Sequence, residues 1–156
     1  MPAFPLPLTS LIHEKLSIIM TFAFSRGPLE TLMDRFRGEW KYLRKALFEV
    51  SQVRAEHSCL ELALFLRLLD DEEGLSAYLK ETGEPDLGSY TRSDGSTAPL
   101  KLRQVANKII HSAGLEWDFK DPSNPILISH PKEAERWKRA EIDLVGLAGF
   151  CGRLMG

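Results

Sequence analysis

Seven apolar residues spaced alternately four and three apart, Leu29, Met33, Phe36, Trp40, Leu43, Leu47 and Val50, constrain this chain more than any other feature. That spacing is a heptad seam carried over three heptads and predicts a long helix. Arg26-Gly27-Pro28 reads as its start, because proline at a first helical position loses no hydrogen bond and Glu30 follows in the first turn. The helix is expected to run to about Gln52. Its seam suits either a core or a contact between two copies. Its outer face carries Arg35, Arg37, Lys41, Arg44 and Lys45, which suits a solvated surface or a phosphate backbone.

The rest of the chain supports a largely helical reading. Residues 1–9 hold three prolines and are expected to be extended, and Leu11 to Phe24 reads as a short helix or an apolar strap. Between Cys59 and Leu69 only Glu61 and Arg67 are charged, so a second helix over 54–69 is expected at the centre, apolar nearly all round. Glu61 then needs a partner, and His57 stands one turn before it, so the pair is a candidate binding feature. Asp70 or Asp71 can cap a short helix running to Thr82. The stretch from Gly83 to Ala98, rich in Gly, Ser, Asp and Pro, reads as a long loop. Beyond Gly114, Trp117 to Phe119 and Ile126 to Ser129 flank a turn and predict a small antiparallel hairpin. A strand to about Ile142 is expected next, then a helix capped by Asp143; one continuous helix from about Pro131 is the alternative.

Charge narrows the function classes. The 156 residues carry a net −2, divided as +2 over residues 1–53, −6 over 54–98 and +2 over 99–156. The whole chain is therefore no trap for polyanions, but its last third is mildly basic. Two cysteines, Cys59 and Cys151, both lie in apolar runs and are expected to be buried free thiols, which fits a reducing, cytoplasmic compartment. No run approaches the roughly 20 apolar residues of a membrane span. Neither a zinc-ligand spacing nor a glycine-rich phosphate loop occurs, so no metal or cofactor is expected.

One stretch suggests chemistry: Pro99 to Trp117, read as a helix ending near Ala113-Gly114. Arg103, Asn107 and His111 follow one another at four-residue intervals, so each lies about 40° further round the helix than the last. An imidazole can move a proton near neutral pH, and a guanidinium can hold a phosphate or carboxylate with two hydrogen bonds. Asn107 lies between them and can orient a reacting group. Such a set suits phosphodiester cleavage without metal, in which a ribose 2′-hydroxyl attacks while His111 moves a proton.

The run RQVANKIIH resembles the HEPN superfamily, whose members carry an Arg…His motif on a late helix of a small bundle, often with Asn four residues before the His. Seven residues separate Arg103 from His111, more than the family's usual gap. The resemblance covers about residues 28–112. It implies an antiparallel helical core, dimers that bring two motifs together, and RNA as the partner. It further implies His111 as acid or base, Asn107 as positioning residue and Arg103 as phosphate holder in a metal-independent ribonuclease of toxin or defence type. Two other readings fit the same residues: a helical interaction module in which they form a buried network, and a small-ligand or nucleotide-binding bundle anchored by Arg103. The expected fold is mainly α, an antiparallel bundle of about four helices over residues 28–156 with a small C-terminal β element. Residues 1–27 are expected to form an N-terminal extension.

Overall fold

A computed structural model of the chain describes residues 7–36 and 41–154. Helix α1 spans Leu8–Met33 and α2 spans Lys41–Arg44. A π-helical turn over Lys45–Val50 leads straight into α3, Ser51–Glu73, which is followed by α4, Leu75–Thr82. Strands β1 (Gly88–Arg92) and β2 (Thr97–Pro99) precede α5, Leu102–Ile110. Strands β3 (Ser112–Asp118), β4 (Ile126–Pro131) and β5 (Trp137–Asp143) then lead into α6, Leu144–Gly152. The strands form one antiparallel sheet in the order β2-β1-β5-β4-β3.

This sheet corrects the expected bundle of about four helices with a small β element: the fold is mixed α and β. Two local misreadings account for the difference. The supposed loop over 83–98 contains a hairpin, in which Tyr90 faces Ala98 and Thr91 faces Thr97. Its Gly, Ser and Asp serve the turn, where Asp94 Oδ1 accepts hydrogen bonds from the Ser96 amide and hydroxyl. The supposed helix from Pro99 onward stops at Ile110, and Ser112 to Asp118 extends as the edge strand β3. Strand β1 can then pair with β5, with Tyr90 opposite Ala140. Gly88 makes that pairing possible. Its φ is +108°, and a Cβ there would stand 2.0 Å from the Glu141 carbonyl oxygen.

Helix α3 is the centre, as its all-round apolar sequence predicts. Cys59, Leu62, Ala63 and Leu66 are each at most 1% exposed and pack with Ile12 and Ile19 of α1 and Val105 and Ala106 of α5. Each fully buried Leu or Ile contributes roughly 1.5–3 kcal/mol through burial. The sheet contributes Leu127, Ala140 and Ile142 to the same core, and α6 adds Leu147 and Phe150. Along β5 the alternate residues Arg139 and Glu141 lie on the opposite, exposed face, where they form an ion pair at 3.2 Å. Asp143 caps α6 by accepting from the Gly146 amide at 3.0 Å. The two cysteines are buried and free, and burial pushes the Cys151 thiol up to about 12 and Cys59 further still.

The heptad seam does not mark one helix. Pro28 lies inside α1, bracketed by an Arg26–Glu30 ion pair at 3.2 Å, and α1 ends at Met33. Trp40 falls outside the described residues. A π turn carries an extra residue per turn and so rotates the apolar face. Phe48 is buried as a result, while Val50, the last seam residue, is 57% exposed.

Candidate functional site

Helix α5 is pinned at both ends, by different means. At its start, Gln104 accepts the Lys101 amide at 3.0 Å and donates to the Tyr90 hydroxyl at 3.2 Å. Arg103 reaches back to α3 and donates to Asp70 at 3.1 Å and Asp71 at 2.6 Å. Asp70 also accepts the amide and hydroxyl of Ser76, at 2.6 and 2.8 Å, and so caps α4 from six residues away. Burial raises the Asp70 carboxyl, but the Ser76 hydrogen bonds and the Arg103 guanidinium outweigh it and hold the group below its ordinary value. The hydrogen bond to Asp71 holds the Arg103 guanidinium above its own, with Asp70 adding to it. Arg103 is thus the keystone of a joint between α3, α4 and α5.

The other end of α5 is pinned through its backbone. The buried Ser129 hydroxyl of β4 donates to the Lys108 carbonyl at 2.6 Å, and the His111 amide closes the last turn on Asn107 at 2.9 Å. The Asn107 and His111 side chains make no hydrogen bond among the described residues. Asn107, Lys108 and His111 line a concavity of about 450 Å³. Arg67 of α3 closes one side, and Lys132, Glu133 and Arg136 of the β4–β5 connection close another. Four permanent cations therefore face one acid. That acid, Glu133, is bonded to Arg136 at 3.0 Å. Arg67, Lys108 and Lys132 make no ion pair among the described residues.

Lys108 is the most constrained of these cations. Its ammonium lies 4.8 Å from the Tyr90 ring centre and 4.7 Å from that of Trp137. The aromatic faces stabilise the charge. Burial of the side chain acts the other way and holds its pKa below the ordinary lysine value. The lysine is held in place, and its charge is incompletely compensated.

The polar line of the sequence therefore divides. Asn107 and His111 share the basic concavity, whereas Arg103 faces a separate, smaller one of about 250 Å³ near Ser76 and Lys80. Glu61 pairs with Lys15 of α1 at 3.2 Å, and His57 is exposed on α3; neither lines the basic concavity. Arg67, Lys108, Lys132 and Arg136 were not singled out from the sequence as site residues. Lys108, next to Asn107, was the one within reach of a helical reading. Arg67 and the β4–β5 residues converge only through the sheet. No group of three or more metal-ligating side chains occurs among the described residues, and no helix there is long and apolar enough to cross a membrane. Comparisons with protein-family models, curated proteins and solved structures find no match to this chain.

Proposed function

We propose that this protein binds RNA through the basic concavity at the C-terminal end of α5, and cuts it without metal. The observation that carries the reading is the convergence of Arg67, Lys108, Lys132 and Arg136, from three separate elements, beside Asn107 and His111. Arg67, Lys108 and Lys132, which make no ion pair among the described residues, supply affinity for a phosphate backbone, and the imbalance of four to one favours an anionic ligand. His111 is exposed beside them and has the chemistry to move a proton at a phosphodiester next to the phosphate that they hold.

The resemblance of RQVANKIIH to the HEPN superfamily supports the same chemistry for Asn107 and His111. The phosphate-holding role that it implies for Arg103 passes here to Arg67 and Lys108, since Arg103 is engaged by Asp70 and Asp71. The resemblance also implies a homodimer. The exposed Val53, Leu60, Leu64 and Leu68 of α3, alongside Arg67, offer the apolar surface such a pairing needs. The two free thiols fit a cytoplasmic setting.

The test is degradation of single-stranded RNA by purified protein in EDTA. Cleavage is expected, with loss of at least about a hundredfold in His111→Ala, the low end for a general acid or base. The melting temperature should stay unchanged, because His111 is exposed and its side chain makes no hydrogen bond among the described residues. RNA binding without cleavage in the wild type would reduce the reading to binding alone. Absence of both would end it.

A further inference from the structure

Resting on the reading of the basic concavity as an RNA site, we infer that it takes a phosphomonoester, the phosphate at the end of a strand or on a free nucleotide, in preference to an internal phosphodiester. The argument begins with charge. Arg67, Lys108, Lys132 and Arg136 bring four positive charges, and Glu133 returns one through its bond to Arg136. An internal phosphodiester brings a single negative charge and two unesterified oxygens. A phosphomonoester brings about −1.5 to −2 at neutral pH and three acceptor oxygens. The more highly charged group is the better match to a surplus of three.

Space points the same way. A volume of about 450 Å³ is that of a small-molecule site and accommodates about one nucleotide, not a run of them. Additional phosphates of a passing strand would fall outside it, leaving the surplus charge unmet.

The aromatic residues at the site favour phosphate-led recognition. Proteins that track single strands stack successive bases on free aromatic faces. Here Trp137 is 5% exposed, and its ring and that of Tyr90 are occupied by the Lys108 ammonium. The Tyr90 hydroxyl is engaged by Gln104. These rings therefore hold the lysine instead of a base. Lys108 cannot swing out to follow a strand without leaving both rings, so its charge waits for an anion brought to it.

The experiment compares one short RNA in three forms, with a 5′-phosphate, with a 3′-phosphate and with hydroxyls at both ends, by fluorescence anisotropy in EDTA. A nucleoside monophosphate serves as competitor. The His111→Ala variant is used so that the strand stays intact, and its folding is checked by circular dichroism. At least one phosphorylated form should bind at least about tenfold tighter than the hydroxyl form. Lys108→Gln and Arg67→Gln should each erase that preference. Direct binding of the monophosphate by isothermal titration calorimetry, without RNA binding, would support the phosphomonoester site and defeat the RNA reading. Equal, salt-sensitive binding of all three forms would overturn the inference and leave the RNA reading standing.

Discussion

The two ends of α5 carry similar chemistry and do different things. At the N-terminal end Arg103 meets Asp70 and Asp71 in a joint whose charged members are paired with one another. At the C-terminal end Lys108, held against the Tyr90 and Trp137 rings, and Arg67 line a concavity and make no ion pair among the described residues. A satisfied charge network is architecture: it fixes the angle between helices and has little left to offer a ligand. Unsatisfied cations held in place are a standing cost, and a ligand can relieve it. The sequence alone could not separate the two cases, because four-residue spacing puts Arg103 in line with Asn107 and His111 whatever each one touches.

That contrast can be broken at its frame, at its joint or at its site. The frame has the largest effect. Gly88→Val places a branched side chain at φ +108° against the Glu141 carbonyl. A loss of more than about 4 kcal/mol is expected, enough to leave little folded protein. Native-like chemical denaturation of this variant would show that β1 and β5 do not approach as closely at Gly88 as the fold requires.

The joint comes next. Arg103→Ala removes one partner of a buried carboxylate and should cost about 1–3 kcal/mol, the lower end applying if water reaches the exposed part of the guanidinium. RNA affinity per folded molecule should not change. A large loss of affinity at full stability would return Arg103 to the binding site. The same joint sets an acid limit. The Asp70 carboxyl is held below its unfolded value, so its contribution is complete above about pH 4 and is lost as the pH falls through the folded value. Melting curves of the wild type and Asp70→Asn should therefore converge on acidification and separate as the pH rises. Parallel curves across that range would show that the joint contributes no linkage.

How far the molecule was legible in its sequence follows from which signals are local. The buried α3, the capping of α6 by Asp143 and the buried thiols all declare themselves within one element. The sheet does not. Strand β1 is five residues of Gly, Ser, Tyr, Thr and Arg beside a polar turn, and the partner that ties its hairpin into the sheet, β5, lies some fifty residues away. The heptad seam misled because a π turn, invisible in composition, shifts the apolar face toward Phe48. The site was half legible. Asn107 and His111 sit on one helix, where spacing predicts neighbours. Arg67 and Arg136 reach the same concavity from α3 and from the β4–β5 connection, and no periodicity links them.

The smallest stability effect belongs to the site itself, and it carries the decisive measurement. Lys108→Met keeps the length of the side chain and removes the charge, and its stability should stay within about 0.5 kcal/mol of the wild type, because lost ring contacts are offset by relief of a buried cation. Single-stranded RNA binding is then titrated for both proteins between 50 and 200 mM salt, in EDTA. The account predicts weaker binding by Lys108→Met at every salt concentration and a salt slope shallower by about 0.7, one phosphate contact. Identical affinity and identical slope in a fully folded Lys108→Met protein would contradict it.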